Sequence, residues 1–389
     1  MANLSVSSIL PGATIGILGG GQLGRMTAMA ARTLGYDVHV LDPDPQCAAR
    51  GVVDRVVSAR FDDAEAAADL ARNCNVVTLE IEQIATASLD AAARHAPVRP
   101  SSRLVGIIQD RALQKRWLTQ HGFPVGPYDD VTDASQLRRA ADRLGALVVK
   151  ATRGGYDGRS QVRLALGADP DTAWSSLTGV RAATRPAVAE QALELESELS
   201  VMIARSPNGS TAVYPPALNF HERQVLAWSV LPAPLPQTLV EQAIELARGI
   251  ADAIELEGLL AVEMFLTAQG QLLVNELAPR PHNSFHETEL ACPTSQFEQL
   301  VRAVCNLPLG ETSVVRPAAI VNLFGDLWKD GVAPRFDAVL AEPLTRLHLY
   351  GKRVARSGRK MGHISAYGDT AQDALDRART AFARLSNGA

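Results

Sequence analysis

The chain is poor in cysteine, in long apolar runs and in net charge, and each shortage excludes a class of protein. The four cysteines, Cys47, Cys74, Cys292 and Cys305, form no C-x-x-C pair, so we predict reduced thiols in a cytoplasmic protein. No apolar run approaches the about 20 residues that span a membrane, and residues 1–12 lack the charged start of a signal peptide. A net charge of −4 gives no support for binding to nucleic acid or a membrane surface.

What the chain does have is an ordinary globular composition. Its 389 residues are 47% hydrophobic and 21% charged, which suits a protein of two or three domains with sizeable cores. The run Phe123–Pro127 carries two prolines and a glycine and predicts a domain entry. We divide the chain at residues 1–121, 122–308 and 309–389, with a lid subdomain at about 124–190.

The first part opens with a predicted strand–helix–strand unit. Strand Ala13–Leu18 runs into a G-x-G-x-x-G loop at residues 19–24, a helix follows to about Leu34, and strand Val38–Leu41 ends at Asp42. The loop amides at a helix N-terminus suit a phosphate, and an acid after the second strand suits a ribose. The loop alone is equally consistent with a tight turn that binds nothing.

A third predicted strand, Val76–Leu79, leads into Glu80 and Glu82. These carboxylates lie at the carboxyl edge of a parallel sheet, where open α/β sheets bind ligands. After about residue 100 no second mononucleotide-binding half follows, which counts against a classical dehydrogenase.

The second part places a lysine before a glycine-rich loop. Strand Leu147–Lys150 precedes Arg153–Arg159, in which glycines let amides approach polyphosphate oxygens while Lys and Arg supply charge. The lysine precedes the glycines, so this is not a Walker A loop. A further strand, Ala187–Gln191, ends at Glu190 and could meet an adenine edge, with a downstream glutamate accepting ribose hydroxyls.

A hairpin at residues 262–277 is the predicted centre of the site. If Gln269-Gly270 forms a two-residue turn, Glu263 lies opposite Glu276 with Cβ atoms about 5 Å apart. Two facing carboxylates repel each other unless a cation lies between them, and Mg²⁺ accepts such ligands together with substrate phosphates. The alternative is a solvated face with a like-charge pair.

The loop after this hairpin favours a site. It carries Arg280, His282 and Asn283, a cluster of hydrogen-bond donors punctuated by prolines. The third part contributes predicted strands Ala318–Leu323 and Thr345–Tyr350, a helix from about 371 to 385, and a basic segment at residues 350–363. That segment is either a charged sheet edge or an anion site.

The order of these features resembles the ATP-grasp ligases over nearly the whole chain. Within them, GILGGGQLGRM at 16–26, EIE at 80–82, GGYDGR at 154–159, NELAPRPHNS at 275–284 and GRKMGH at 358–363 closely resemble the N5-carboxyaminoimidazole ribonucleotide synthetases of de novo purine synthesis. The resemblance implies an α/β and α+β fold: an N-terminal Rossmann-like (pre-ATP-grasp) domain, a central two-lobed ATP-grasp domain and a small C-terminal β-rich domain.

The resemblance also implies site residues. For ATP it implies Arg111 and Lys150 on the phosphates, and it also implies Asn275 and Glu276. A lid over the nucleotide is implied at Gly155, Tyr156, Asp157, Gly158, Arg159, Ser160 and Gln161. The implied adenine contacts are Glu190, Gln191, Ala192 and Leu193, and the implied ribose contact is Glu198, with His221 nearby. For Mg²⁺ it implies Glu263 and Glu276; for carboxyphosphate, Tyr156, Arg159, Arg280, His282 and Asn283; for the ribonucleotide, Gly21, Gln22, Leu23, Glu80, Lys352, Arg359 and Lys360.

One position departs from the wider superfamily pattern. Many ATP-grasp enzymes carry Glu-x-Asn on the last strand, whereas here Ala278 follows and Asn275 precedes Glu276. Strand alternation would point Asn275 away from Glu276 unless the strand bulges.

The implied reaction is ATP-dependent formation of carboxyphosphate from bicarbonate and carboxylation of aminoimidazole ribonucleotide by a homodimer. A sister enzyme, the formate-dependent glycinamide ribonucleotide transformylase, shares the fold and is an alternative. A nucleotide- or NAD-binding regulatory module is another, supported only by residues 19–24 and Asp42; facing metal carboxylates speak against it.

Overall fold

The computed structural model describes residues 7–154, 160–178 and 186–386, and its described strands form three sheets. The first is a parallel sheet of β1 (Thr14–Leu18), β2 (Asp37–Asp42), β3 (Arg55–Ser58) and β4 (Val76–Leu79), in the order β3-β2-β1-β4. The sequence predicted β1, β2 and β4 to within one residue at each end and missed the short β3.

Five helices of the described chain lie between residues 22 and 120: α1 (Gln22–Thr33), α2 (Ala64–Arg72), α3 (Thr86–Ala93), α4 (Ser102–Ile108) and α5 (Arg111–Gln120). Side chains cap three of them. Asp63, Ser101 and Asp110 accept hydrogen bonds from main-chain N–H groups in the first turns of α2, α4 and α5. Such caps satisfy donors that a helix cannot pair internally.

The second sheet is a small antiparallel layer, here named the lid sheet. It contains β5 (Tyr128–Val131), β6 (Leu147–Ala151), β7 (Gln161–Leu164) and β8 (Ala187–Gln191) in the order β5-β8-β6-β7. Helices α6 (Ala134–Leu144) and α7 (Pro170–Thr178) cover one face, where Leu137, Leu147 and Trp174 belong to a common apolar cluster. The other face is left for the site.

The third sheet is the largest and runs β14-β13-β9-β11-β12-β15-β17-β16, with β10 paired to β9. Its strands are β9 (Leu195–Arg205), β10 (Thr211–Val213), β11 (Ala217–Glu222), β12 (Val225–Leu231), β13 (Gly258–Thr267), β14 (Leu272–Ala278), β15 (Ala318–Phe324), β16 (Thr345–Leu349) and β17 (Lys360–Tyr367). Because β15 pairs antiparallel with β12, the strands after residue 309 continue the same sheet.

The helices on this sheet are α8 (Gln237–Ala253), α9 (Thr288–Ala291), α10 (Gln296–Val304), α11 (Phe336–Leu340) and α12 (Ala371–Ser386). Alternating residues of β9 serve two cores. Val201 and Ile203 join the cluster that contains α8, whereas Met202 and Ala204 join the cluster that contains α10 and the first sheet. The sheet is therefore covered on both faces here, which accounts for the continuous apolar run in β9. Among the described residues, no helix combines the length and apolarity needed to cross a membrane.

The predicted two-residue turn in the β13–β14 hairpin is wrong, although the predicted pairing is right. Leu266 pairs with Leu272, which leaves a longer loop closed by a hydrogen bond from the Gly270 N–H to the Thr267 carbonyl, with Gly270 at φ +77°. A bulge then shifts the register by one residue between Met264 and Glu263. The two one-residue shifts cancel, so Glu263 pairs with Glu276.

Candidate active site

A cavity of about 780 Å³ lies between the lid sheet and the large sheet. Strands of both sheets, helix α5 and the loop after β14 line it. Most residues predicted for ATP, metal and carboxyphosphate lie in its wall: Arg111, Lys150, Ser160, Gln161, Glu190, Gln191, Ala192, Leu193, Glu198, His221, Glu263, Asn275, Glu276, Arg280, His282 and Asn283. Gly155, Tyr156, Asp157, Gly158 and Arg159 fall outside the described residues.

One side of the cavity concentrates positive charge around Glu190. Lys150 and Lys115 approach the same carboxylate oxygen of Glu190, at 3.2 and 3.4 Å. Burial raises the pKa of Glu190, but the two ammonium groups outweigh it and hold the pKa below its usual value. Burial lowers the pKa of Lys115, which is 3% exposed. This arrangement suits the oxygens of a polyphosphate.

Lys115 was not predicted. It lies on α5 and reaches Glu190 on β8, so its role depends on packing between two distant elements. The only signal in the sequence is a lysine on the same helix as Arg111.

Arg111 donates to the main-chain oxygen of Ala151 at 2.9 Å, and its guanidinium lies 3.9 Å from Glu276.

Glu263 and Glu276 face each other across the hairpin, as predicted. The bulge at Asn275 turns this residue to the same side as Glu276, and Lys150 donates to Asn275 Oδ1 at 3.4 Å. The bulge thus resolves the alternation problem that the sequence raised.

The two carboxylates differ in their electrostatic surroundings. Burial raises the pKa of Glu263, but the hydrogen bond from His282 opposes it and holds the pKa below its usual value. Burial and the charge of Glu263 raise the pKa of Glu276 above its usual value, against the pull of Arg111. A divalent cation between the two groups would relieve this repulsion, and oxygen ligands are those that Mg²⁺ takes.

The donor loop after β14 borders the carboxylates. Arg280 forms an ion pair with Glu82 at 2.6 Å, and His282 Nε2 lies 3.1 Å from Glu263 Oε1. Asn283 is 6% exposed, lines the cavity, and neither amide atom has a hydrogen-bond partner among the described residues. A buried amide left unsatisfied is costly, so Asn283 is poised to bind a ligand.

Glu82 also lines the cavity, although we singled out Glu80 for substrate. The sequence placed both acids at the edge of the first sheet but gave no sign of which one meets Arg280.

Elsewhere in the cavity wall, Glu198 lies 2.9 Å from His221. Burial lowers the pKa of His221, but the hydrogen bond and the charge of Glu198 outweigh burial. The pKa of His221 is therefore above its usual value.

Of the residues predicted for the ribonucleotide, Lys360 lines the cavity and the others lie outside its wall. The amides of Gly21 and Gly24 donate to the two oxygens of Glu80 at 2.8 and 2.9 Å, so the loop already holds a carboxylate where a phosphate was predicted. Leu23 is buried with Met26, Phe297 and Tyr350, which leaves only its main chain for contact with a ligand.

A basic group connects this loop to the cavity. Lys352 donates to Gln22 Oε1 and, at 2.7 Å, to the main-chain oxygen of Lys360. Lys360 lines the cavity, while Arg359 donates to the main-chain oxygen of Val354 at 2.8 Å. The basic segment is therefore folded against helix α1 and is not simply a charged sheet edge.

A cluster of histidines lies behind the donor loop and is not suited to a metal as arranged. The rings of His286, His363 and His348 stack with centroids 4.7 and 4.4 Å apart and planes within 20° and 9°. A metal ion lies in the plane of the imidazole that binds it, so stacked rings cannot share one. Burial lowers the pKa of His348 to about 4 and raises that of nearby Glu289 to about 7, so the stack packs as neutral rings.

Lysines and an arginine for polyphosphate, a carboxylate pair for a divalent cation and adjacent hydrogen-bond donors are the parts of a phosphoryl-transfer site. Their placement between a small lid sheet and a large antiparallel sheet defines the ATP-grasp class of ligases. Family models agree: residues 12–109 match the ribonucleotide synthetase preATP-grasp domain, residues 116–297 the ATP-grasp domain, and residues 318–377 the phosphoribosylaminoimidazole carboxylase C-terminal domain.

The chain belongs to the N5-carboxyaminoimidazole ribonucleotide synthetase family. It is 41% identical over 363 residues to the synthase of Bacillus subtilis, covering 93% of each chain, and 41% identical to that of Brucella melitensis, covering 92% of this chain and 97% of the other.

Solved structures give the same result. An ADP complex of an N5-carboxyaminoimidazole ribonucleotide synthetase matches with a TM-score of 0.90 and 41% identity, covering 98% of this chain and 100% of the other. An Aspergillus clavatus synthase in complex with ADP and 5-aminoimidazole ribonucleotide matches with a TM-score of 0.87 and 30% identity, covering 96% and 99%.

Proposed function

We propose that the chain carboxylates 5-aminoimidazole ribonucleotide at the expense of ATP, with bicarbonate as the carboxyl source, and thereby makes N5-carboxyaminoimidazole ribonucleotide for purine biosynthesis. The family membership supports the reaction. The observation that carries the chemistry is the cavity in which the Glu263–Glu276 pair lies between the Lys150–Lys115 group and the donor loop.

ATP would lie with its polyphosphate near Lys150, Lys115 and Arg111, and its adenosine toward the strand end at residues 190–193 and Glu198. The lysines neutralise phosphate charge without moving, because Glu190 holds both of them. Such preorganised charge is the main source of rate enhancement in phosphoryl transfer, where little covalent chemistry falls to the protein.

Glu263 and Glu276 fit Mg²⁺, because their facing carboxylates repel each other and offer oxygen ligands. When bound, the ion would neutralise charge on the transferring phosphoryl group. Asn275, turned to the same side by the bulge, holds Lys150 in place.

Arg280, His282 and Asn283 would bind the carboxyphosphate formed from ATP and bicarbonate. Arg280 is fixed by Glu82, and Asn283 offers both a donor and an acceptor. Their work is to orient the carboxyl group toward the exocyclic amine of the ribonucleotide and to shield it from water. Tyr156 and Arg159 of the lid loop would complete this shell.

The ribonucleotide would lie between the first sheet and the basic segment. Lys352, Lys360 and Arg359 would bind its phosphate, and Gln22 and Glu80 its ribose or the adjoining atoms. Because Glu80 occupies the amides of Gly21 and Gly24, the loop would act mainly by positioning Glu80.

Release of ADP in the presence of Mg²⁺ tests the proposal. We expect release to be stimulated by 5-aminoimidazole ribonucleotide with bicarbonate and not by glycinamide ribonucleotide with formate. Stimulation by the second pair alone would overturn the substrate while retaining the ATP site. Tight binding of a nicotinamide cofactor without ADP release would favour the regulatory module instead.

We also propose a cytoplasmic homodimer, on the family resemblance alone. Sedimentation of the purified chain at micromolar concentration measures its oligomeric state, and a monomer would contradict this part of the proposal.

A further inference from the structure

Behind His282 a row of buried polar side chains leads away from the cavity. We propose that Ser284 and the side chains behind it hold His282 as the tautomer with its proton on Nε2, so that His282 serves as a hydrogen-bond donor toward Glu263 and the cavity. The inference refines the proposed function, because it assigns a role to a residue of that site and identifies positioning residues that touch no substrate.

The contacts of the His282 ring favour this tautomer. Nδ1 lies 2.8 Å from Ser284 Oγ, and the Ser284 main-chain N–H points at Nδ1 at 3.5 Å. An N–H group can only donate, so Nδ1 presents its lone pair. Nε2 lies 3.1 Å from Glu263 Oε1. A neutral imidazole carries one N–H, so with a lone pair on Nδ1 the proton lies on Nε2.

The polar row continues for four more contacts. Ser284 Oγ lies 2.7 Å from Ser200 Oγ, which accepts from Asn219 Nδ2 at 3.0 Å. Asn219 Oδ1 lies 3.0 Å from Ser229 Oγ, and Ser229 Oγ lies 2.8 Å from Glu287 Oε1. Four of the five side chains belong to residues that are 0% exposed, and Asn219 is 6% exposed, so the row is sealed from water.

The Asn219 amide sets the direction of the row. Its Nδ2 donates to Ser200 Oγ, which leaves the Ser200 proton for Ser284 Oγ and the Ser284 proton for Nδ1 of His282. At the other end, Ser229 Oγ has one proton for three acceptors: Asn219 Oδ1, the Ser284 main-chain oxygen and Glu287 Oε1. When Ser229 donates to Asn219, a protonated Glu287 donates in turn to Ser229.

The surroundings of Glu287 favour its protonated form. Its Oε2 has no hydrogen-bond partner among the described residues, and Ser229 is the side chain that meets Oε1. Burial raises the pKa of this carboxyl to about 8, although the Ser229 hydrogen bond acts in the opposite sense. Glu287 is therefore protonated near neutral pH, in agreement with the N–H of Ser284 pointing at a lone pair.

The main chain of His282 is held as firmly as its ring. Gln296 accepts from the His282 N–H at 2.8 Å and donates to the His282 carbonyl at 2.9 Å.

Asn219 cannot pass a proton along the row unless its side-chain amide rotates by half a turn. The row therefore orients His282 and does not conduct protons, which is the usual work of groups behind a functional histidine.

The first test is the ¹⁵N NMR spectrum of histidine-labelled protein without substrates, near neutral pH, with the His282 signals identified by their loss in His282→Gln. We expect a pyridine-type resonance for Nδ1 and a pyrrole-type resonance for Nε2. A proton on Nδ1, alone or on both nitrogens, would overturn the proposal. This reading needs no turnover, so it fails or succeeds independently of the proposed reaction.

Variants then test the row itself. Ser284→Ala should mix the two tautomers and lower kcat for ADP release about tenfold, with KM for ATP within about twofold. Glu287→Gln keeps a donor facing Ser229 and should retain the wild-type tautomer, whereas Glu287→Met should lose it. Ser206→Ala is the matched control, since Ser206 is 0% exposed and its hydroxyl has no partner among the described residues. An unchanged His282 spectrum in both Ser284→Ala and Glu287→Met would overturn the proposal.

Discussion

Two pairs of partly buried carboxylates organise this molecule, and their surroundings differ. Asp42 and Glu80 flank the glycine-rich loop and accept hydrogen bonds from main-chain amides: Asp42 from Gly20 at 2.8 Å, and Glu80 from Gly21 and Gly24. Among the described residues, no main-chain amide donates to Glu263 or Glu276. Both face the cavity, where His282 lies beside Glu263 and Arg111 beside Glu276.

The partners of a carboxylate therefore decide what it can bind. Amides fixed in a loop hold Asp42 and Glu80 in place. Glu263 and Glu276 repel each other and line the cavity, so they can accept a cation. Glu287 is a third case: its side-chain partner among the described residues is one hydroxyl, and burial raises its pKa so that it stays neutral.

The largest expected effect follows from removing one carboxylate of the cavity pair. Glu276→Ala should lower ADP release on the order of 1,000-fold, because a metal ligand and a preorganised charge are lost together. Glu245→Gln, at an exposed site on α8, is the control, and circular dichroism checks the fold. Turnover within a few-fold of wild type would remove the metal assignment.

The next effect concerns pH and the neutral carboxyl of Glu287. Its pKa in the folded chain is about 8, above the usual 4.5, so the native state binds more protons than the unfolded state between these values. The stabilisation is complete below pH 4.5 and is lost as pH rises through 8. We expect wild type to lose about 2–4 kcal/mol relative to Glu287→Gln between pH 5 and 8, measured by urea unfolding. A difference independent of pH would show that Glu287 ionises normally.

The glycine loop should respond through stability. A Cβ at Gly24 would overlap the main-chain oxygen of Gly19, so Gly24→Ala must distort the loop that holds Glu80. We expect a loss of about 1–3 kcal/mol in the free energy of unfolding. Gly106→Ala, also within a helix, meets Thr86 only at 3.4 Å and should be neutral or stabilise by up to about 1 kcal/mol. Equal effects of the two substitutions would contradict the close contact.

The smallest effect is expected at the basic segment. Lys352→Ala removes an ammonium group from Gln22 and from the Lys360 carbonyl and should raise KM for the ribonucleotide about tenfold. KM for ATP should stay within about twofold, and the exposed Lys329 supplies the control substitution to Ala. If KM for ATP rises instead, the segment belongs to the ATP site.

Much of this could be predicted from the sequence because the signals are local. Short apolar runs gave β1, β4 and β8 to within a residue. The pairing of Glu263 with Glu276 was right only because an unpredicted longer turn and an unpredicted bulge cancel. Neither has a clear sequence signal, since a bulge depends on the strands that surround it.

The missed residues share a different cause. Lys115 acquires its role by meeting Glu190, Glu82 by meeting Arg280, and Ser284 by closing a row that ends at Glu287. These contacts join residues from separate elements, and no periodicity within one element indicates them. The predicted division at residues 308 and 309 likewise gave no sign that β15 continues the large sheet.

The central claim, that the cavity pair and not the loop pair binds the divalent ion, is tested most directly by Mn²⁺ binding followed by electron paramagnetic resonance in the presence of ADP. We predict one tight Mn²⁺ site in wild type, its loss in Glu276→Gln and its retention in Glu80→Gln. Retention in Glu276→Gln, or loss only in Glu80→Gln, would contradict the account.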